Sequence, residues 1–432
     1  MNNLIKKHSF LAWMICGLGA IFYSYEYLLR IAPSVMEEAL SNHYHLLSGG
    51  FGGLSAFYYY AYVPMQIPVG LLMDRYGPRR LLTFACFLCA LGAYLFSATE
   101  FFYVAALGRF LVGLGSSFAF VGVLKLATMW LPEDKLAFVA GLAAALGTVG
   151  AMIGDNLLGY LVRSWGWRET TNFTSAFGFF LVIMLYFFIK DRKSSKAESS
   201  NETQNDFIST LQDLSVIARN KQIWINGFYG CLVYLPTTVL AELWGIPYLV
   251  HAHLMTAASA EFANSMIFLG FAIGAPLMGT LSDRCHNRKI PMAIGALGSF
   301  SMITMAMYIP GLSEKSICAL LFCLGLFYGA QAIVFAVGRE LSPKRAAGTA
   351  MAFTNMIVML GGMFLQPLVG VLLDWHLKLR TPMDVIKSSV GSMNNLYNSS
   401  DYQFALMLLP IGIFMAFLLT FALKETHSEV VD

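Results

Sequence analysis

The sequence predicts an all-α integral membrane protein of twelve transmembrane helices, divided six and six. Three observations carry that prediction. The apolar set AVILMFWYC makes up 57% of the 432 residues and charged residues only 12%, where a soluble chain carries about 25% charge. The mean hydropathy is +0.63. Twelve runs approach the ~20 mostly apolar residues that cross a hydrocarbon core, and one loop motif recurs at a fixed offset in both halves. A soluble fold would lack the polar surface to cover such a core, and a disordered chain would carry far more charge. The net charge of +3 is small and gives no reason to expect a nucleic-acid partner.

The runs lie near 10–33, 48–73, 79–98, 102–130, 136–161, 170–189, 222–249, 260–281, 290–309, 316–338, 346–374 and 402–423. The first follows Lys6 and Lys7. It is too long for the apolar core of a signal peptide and no small-x-small site follows it, so it is expected to be retained. The second contains Pro64 and Pro68, which free backbone carbonyls and permit bending. The fifth is glycine-rich from Gly141 to Gly154, which allows close helix approach. Between the sixth and seventh, the polar stretch from Lys190 to Lys221 reads as a solvated linker. Its end, FISTLQDLSVIAR, has apolar residues at helical spacing and is expected along the membrane surface. The stretch from His376 to Ser400 reads as an irregular connection. The expected units are thus an N-terminal bundle 1–189, a cytoplasmic linker 190–221 and a C-terminal bundle 222–432.

Lysine and arginine placement sets the expected orientation. With the N-terminus cytoplasmic, nineteen of the 28 basic residues fall on the cytoplasmic side and six on the other; Arg30, Arg109 and Lys125 lie within spans. Both termini and the linker are therefore expected in the cytoplasm, and the short loops suit a bacterial inner membrane. Seven cysteines add little: Cys86 and Cys89 form a CxxC in an apolar helix with no second pair or histidine nearby, which reads as packed small residues rather than a metal site. No Walker P-loop and no soluble catalytic domain are present, so neither ATP, another cofactor nor an enzymatic activity is expected.

Gly70-Leu-Leu-Met-Asp74-Arg75-Tyr-Gly77-Pro-Arg79-Arg80 joins the second and third runs, and Gly279-Thr-Leu-Ser-Asp283-Arg284-Cys-His-Asn-Arg288-Lys289 joins the eighth and ninth. Glycine, aspartate and both basic positions repeat at an offset of 209, the mark of a duplicated transporter half. Asp and Arg just past a helix end can hold neighbouring helix termini through charge-assisted contacts and the helix dipole. These loops resemble the G-x-x-x-D-R-x-G-R-R signature of the major facilitator superfamily, and Arg109-Phe-Leu-Val-Gly113-Leu-Gly115 is similar to that family's R-x-x-x-G-x-G. The resemblance covers nearly the whole chain. It implies two pseudo-symmetric six-helix bundles around a central cavity that opens alternately to each side. It also implies gating roles for Asp74, Arg75, Gly77, Arg79, Arg109, Asp283 and Arg284. There are two departures. His286 stands where the first loop has Gly77, which points to a looser turn. The fifth run reads Gly147-Thr-Val-Gly150-Ala-Met-Ile-Gly154-Asp155, without the glycine–proline pair typical of the family's drug/proton antiporters.

Ionisable groups at membrane depth cost about 2.5–3.5 kcal/mol each on insertion scales and usually face a cavity or a partner. Tyr23, Glu26 and Arg30 share one face of the first span, and Glu26 and Arg30 are spaced for an i, i+4 ion pair. Arg30 suits bidentate binding of a carboxylate or phosphate; the alternative is a self-contained pair that fixes packing. The family's organic-anion carriers also place an Arg there. Tyr59, Tyr62 and Gln66 form a polar stripe on span two, either along the solute path or in packing. Lys125 in span four can meet an anionic solute, pair with Glu26 or snorkel to the headgroups. Asp155 in span five is a proton-coupling candidate, the alternative being a basic partner such as Arg30. Span seven puts Tyr234, Thr238 and Glu242 on one face, with Trp244 in reach for cation–π contact. The superfamily's organophosphate carriers put a second Arg in span seven, where this chain has Glu242. Tyr328 and Gln331 in span ten and Asn355 in span eleven add neutral groups for orienting a solute.

The expected protein is a monomeric secondary transporter in the lipid bilayer, moving a small carboxylate-bearing or zwitterionic solute: an amino acid, short peptide or organic acid. Protons are the expected coupling ion, carried by Glu26, Asp155 or Glu242. A siderophore or sugar-phosphate carrier with Arg30 and Lys125 as anion clamp is the alternative within transport, and a transporter-like solute receptor the alternative outside it.

Overall fold

The computed structural model describes residues 2–132, 135–190, 212–382 and 396–427. Among these, the chain is a succession of helices and turns without a strand. Span one is a single helix, Asn2–Ile31, followed by a short 3-10 turn and the helix Glu37–Tyr44. Span two is Ser48–Met65, broken at Gln66 and Ile67 and resumed as Pro68–Tyr76. Spans three to six are Pro78–Ala98, Phe102–Trp130, Leu136–Trp165 and Trp167–Phe188. Spans seven to twelve are Lys221–His253, Ala257–Arg284, Lys289–Tyr308, Glu314–Glu340, Ala347–Arg380 and Ser399–Ala422. Ten are long and apolar enough to cross a membrane on composition alone. Spans one and two are not among those ten. They hold Glu26 and Arg30, which are buried inside the protein together with Tyr25, Tyr27, Tyr58, Tyr59 and Tyr62.

Proline and glycine explain the irregular turns. Pro236 opens a π turn, Pro236–Trp244, inside span seven, and a second π turn, Gly154–Leu158, interrupts span five. Such turns release backbone carbonyls from the regular ladder and occur often at functional sites. The duplication is visible in the backbone as well as the sequence. Gly77 and His286 both take positive φ, of 79° and 48°, at equivalent places in the two loops. His45 and Leu254, also 209 residues apart, both take left-handed φ, of 52° and 54°, just before spans two and eight. His286 therefore adopts a left-handed turn without glycine, where the substitution suggested a looser one.

In the first half, span one packs on spans four and five, and span three lies between four and six. In the second, span eight packs on ten, and span twelve on seven and nine. Between the halves, span two lies along span eleven, span five along span eight, and span one against the π turn of span seven. Helix 212–219 buries Ile217 beside Ile223, Ala350, Phe353 and Ile357, and so docks on the second half. Span eleven stays helical to Arg380, past the expected start of the irregular connection at His376, and most of the rest of that connection, 383–395, lies outside the described residues. Most of the expected linker, 191–211, lies outside the described residues.

The halves meet tightly at the end opposite the termini. The amides of Ser48 and Gly49, which open span two, donate to Tyr397 Oη at 3.2 Å and Asp374 Oδ2 at 2.9 Å in the other half. A Cβ on Gly52 would sit 2.6 Å from the Gln366 carbonyl and 3.0 Å from Pro367 Cα, so backbone meets backbone there. Arg163 on span five pairs with Glu261 on span eight. At the terminal end the loop carboxylates are open to solvent, with Asp74 66% and Asp283 70% exposed.

A prediction follows from Gly52. Gly52→Ala places a methyl group against backbone that cannot rotate away, which wedges this seam. A cysteine introduced at Ser48 should be alkylated faster by a membrane-impermeant reagent in that background; an unchanged rate would mean the seam tolerates the methyl.

Candidate functional site

The central charges are built on helix geometry. Glu26 and Arg30 lie one turn apart on span one, and Arg30 Nη2 donates to Glu26 Oε1 at 3.2 Å. The same guanidinium reaches across the seam, with Nη1 3.6 Å from Glu242 Oε1 on the π turn of span seven. All three side chains are at most 3% exposed. Tyr58 donates to Glu26 Oε2 at 3.2 Å, and Tyr59 donates to Glu242 Oε2. Three tyrosine rings surround the guanidinium carbon, at 4.4 Å for Tyr27, 4.9 Å for Tyr62 and 5.2 Å for Tyr58. Tyr27 also shares a 3.2 Å hydrogen bond with Tyr234 across the seam. Two carboxylates, one guanidinium and five phenols thus form one buried polar cluster between the halves. Arg30 Nε and Glu242 Oε1 have no hydrogen-bond partner within it, so the cluster is only partly satisfied at high electrostatic stakes, and removing one member of a buried pair costs about 3–5 kcal/mol.

Of the other expected residues, Tyr23 and Tyr328 border this cluster, beside Tyr27 and Tyr234. Tyr23 is half-buried, edge-on to Tyr27 at 5.8 Å and beside Phe120. Tyr328 accepts a 2.8 Å hydrogen bond from Thr237 and stacks on Phe271. Gln331 is buried on the 3-10 turn of span ten. Asn355 donates to Gln66 Oε1 at 2.7 Å, a contact between spans eleven and two on the terminal side of the cluster.

Four expected residues lie elsewhere. Lys125 pairs with Asp74 at 2.5 Å near the terminal end and is 36% exposed, in contact with neither Glu26 nor Arg30. Trp244 is fully buried in the seam, donating to the Gln366 carbonyl at 3.0 Å and packing on Phe51; the cation–π faces belong to the tyrosines. Asp155 meets Asn264 of span eight, not a basic residue. Arg109 donates to the carbonyls of Leu29 at 2.8 Å and Arg30 at 3.1 Å. It satisfies the last turn of span one, a position favourable for a cation. Beside it a small pocket of about 20 Å³, room for one water, is lined by Leu29, Phe96 and Thr174. That pocket lies inside the first half and not at the central cluster.

Sequence reasoning left Tyr27, Tyr58 and Asn264 out of the site. Tyr27 is three residues from Arg30, and Tyr58 four from Tyr62, so helical spacing placed both on the right faces. Asn264 carried no signal, since an amide in an apolar helix names no partner.

The sequence matches the family model described as Major Facilitator Superfamily, over residues 14–366 and 232–427. The chain belongs to that superfamily. The likeness extends to the probable galactarate/D-glucarate transporter GudP of Bacillus subtilis, 26% identical over 81% of this chain and 83% of that one. The probable sulfoacetate transporter SauU of Cupriavidus necator is 22% identical over 84% and 87%. In fold, the chain is similar to a bacterial homologue of the human lysosomal transporter Spinster, in its inward-facing and unoccupied conformation. The TM-score is 0.75 at 16% identity, over 95% of this chain and 97% of that one. The protein is accordingly a multi-pass membrane protein with the twelve-helix architecture of the superfamily, and a secondary transporter.

The superfamily loops take different partners in the two halves. In the first, Asp74 holds Lys125, Arg75 lies over the Tyr76 ring, and Arg79 donates to the Tyr186 carbonyl at the end of span six. In the second, Arg288 joins Asp283 at 2.6 Å and Glu340 at 2.7 Å, while Arg284 is exposed. The segment after span twelve folds back on this second loop. Glu425 accepts from the amides of Arg288 at 2.8 Å and Lys289 at 3.1 Å, which caps the start of span nine. Thr426 donates to Glu340 at 2.6 Å.

Partial burial works to raise the Glu425 carboxyl, but the amides of Arg288, His427, Lys289 and Thr426 outweigh it and hold it below the usual carboxylate range. The stabilisation from this strap is therefore complete above the ordinary carboxylate pKa and lost as pH falls through the lower, folded value. Glu425→Gln should speed hydrogen exchange at the Arg288 and Lys289 amides at neutral pH. Equal exchange in both proteins would show that the strap does not protect the loop.

Proposed function

We propose that this protein moves a small organic carboxylate across a bacterial inner membrane by alternating access, with protons as the coupling ion and Arg30 as the anion ligand. The observation that carries the reading is the buried Arg30–Glu242 contact between the halves. A guanidinium held by side-chain carboxylates offers the geometry that a solute carboxylate needs. An arriving carboxylate takes Arg30 from Glu242 and so releases a charged tie between the bundles. Tyr59, Tyr62, Tyr234, Tyr328, Gln331 and Asn355 supply the neutral groups that orient the solute. The named substrates of GudP and SauU are organic acids, in keeping with this solute class.

Coupling rests on charge balance. Two carboxylates face one guanidinium, so a bound proton on Glu26 or Glu242 neutralises the cluster. The loops at the terminal end, with Asp74, Arg75, Gly77 and Arg79 in one copy and Asp283 and Arg284 in the other, act as the gate of the cytoplasmic side, following the orientation that the basic residues predict. On that orientation, the tight seam at the opposite end is the periplasmic one. The bundles 1–189 and 222–432 are the bodies that move.

Uptake into proteoliposomes tests this directly. Labelled glucarate, sulfoacetate and several amino acids are offered with and without an inward proton gradient. At least one organic acid should accumulate only with the gradient. Arg30→Lys keeps the charge and loses the planar fork, so apparent affinity should fall about tenfold or more, charge-assisted hydrogen bonds being worth about 1.5–3 kcal/mol. Accumulation of none of these acids, or an Arg30→Lys protein with normal affinity, would overturn the reading. Glu242 favours a second, zwitterionic solute, its amine at Glu242. Glu242→Gln separates the two when exchange is measured without a proton gradient: a zwitterion carrier loses exchange, whereas a carrier of organic acids retains it.

A further inference from the structure

Asp155 sits on the π turn of span five with no exposed surface. Its Oδ2 accepts from Asn264 Nδ2 at 2.8 Å, and its Oδ1 has no hydrogen-bond donor. Asn264 is equally buried and extends the contact, donating to the Ala241 carbonyl at 2.9 Å on the π turn of span seven, while its own Oδ1 is unpartnered. The Asn264 amide nitrogen thus bridges a carboxylate of the first half and a carbonyl on the π turn of span seven, while its Oδ1 lies against Gly245, which leaves one Asp155 oxygen free for a cation.

The surrounding charges do not neutralise Asp155. Span one packs against the preceding Gly154 with Leu28 and Ile31, both apolar. Span eight contributes Glu261, which is itself held by Arg163 from span five. Span seven contributes only backbone here; its Glu242 is engaged with Arg30 and Tyr59. A bare carboxylate with one amide donor is not a stable species at zero exposure, because the uncompensated charge costs far more than one hydrogen bond returns.

We propose that Asp155 and Asn264 form a binding site for a coupling monocation, a proton or a sodium ion, separate from the solute cluster and located in the seam between spans five and eight. The bound charge neutralises Asp155 and lets the Asp155–Asn264 contact close this end of the protein. Loss of the cation leaves a carboxylate that is stable only in water, which opens the seam. Ala241 is the residue before Glu242, so the same π turn carries the state of this site to the Arg30 cluster. The inference stands on the assignment as a secondary transporter and not on the class of solute.

The test needs no solute. The full-length protein in lipid nanodiscs is unfolded thermally at acidic and alkaline pH, in sodium chloride or in choline chloride of equal strength. A rise in Tm with sodium at alkaline pH identifies sodium; a rise on acidification that is the same in both salts identifies the proton. Asp155→Asn, neutral and nearly isosteric, should abolish a sodium response and diminish an acidification response. Because Glu242 can also take up a proton, the substitution is made again in a Glu242→Gln background, where it should remove part of the response that remains; this separates the site from the central cluster. No response to either ion in the unsubstituted protein, or one undiminished by Asp155→Asn in both backgrounds, overturns the proposal. Should Asp155→Asn not fold, Asn264→Ala serves: it keeps the carboxylate, removes the amide, and should weaken the response, while an unchanged response again overturns the site.

Discussion

A guanidinium placed among lipid-embedded helices must be partnered, and the way Arg30 is partnered organises this molecule. Its neighbours come from three helices and both halves: Glu26 on its own span, Tyr58 and Tyr62 on span two, Glu242 on span seven. The first bundle supplies both Arg30 and Glu26, and the second adds Glu242, whose charge meets a cation only across the seam. The charge requirement that makes Arg30 tolerable in the membrane is thereby also a force that holds the bundles together. A neutral packing contact would add stability in proportion to area and would leave the seam insensitive to any ligand. An ionic one can be competed away by an ion.

The seams around the cluster follow the same economy of contact. Where span two meets span eleven, the approach is backbone to backbone at Gly52 and Gly370, with Asp374 accepting the Gly49 amide in the first turn of a helix in the other half. Helix N-termini leave donors unsatisfied, so a carboxylate from across the seam both caps the helix and latches the interface. Span five against span eight uses Gly159 and the Asp155–Asn264 contact in the corresponding way. Under the 209-residue repeat, span two corresponds to span eight and span five to span eleven. The two seams are therefore images of each other, built from different side chains on one backbone plan.

The twelve spans, their six-and-six division and the repeat were legible in the sequence because hydrophobic length and a recurring motif are local signals. Glu26, Arg30 and Glu242 were legible as candidates because charge in an apolar run is anomalous wherever it occurs. Their mutual contact was not legible, since the i, i+4 rule reaches only within a helix and Glu242 lies on another span. Lys125 illustrates the limit: its depth in span four allowed a solute, Glu26 or the headgroups, and only the packing of span four beside the first superfamily loop selects Asp74. Trp244 has the chemistry of a cation–π partner, but Gly52 opposite leaves the space that its ring fills. Partner choice between helices depends on crossing geometry, which one sequence does not encode locally.

The two charged features between the halves lie on one short stretch of span seven. Ala241 touches Asn264, and Glu242 touches Arg30 and Tyr59. Adjacent residues on a regular helix point about 100° apart, so a rigid span could serve one seam without disturbing the other. The π turn removes that independence. It widens the backbone at both residues together, and Pro236 at its start removes an amide that would hold a regular ladder. A displacement that breaks the Ala241 contact shifts the Glu242 carboxylate with it. Coupling between a cation in one seam and an anion in the other then requires no long pathway through the protein. It requires only that this one irregular turn have two arrangements and that each ligand favour the same one.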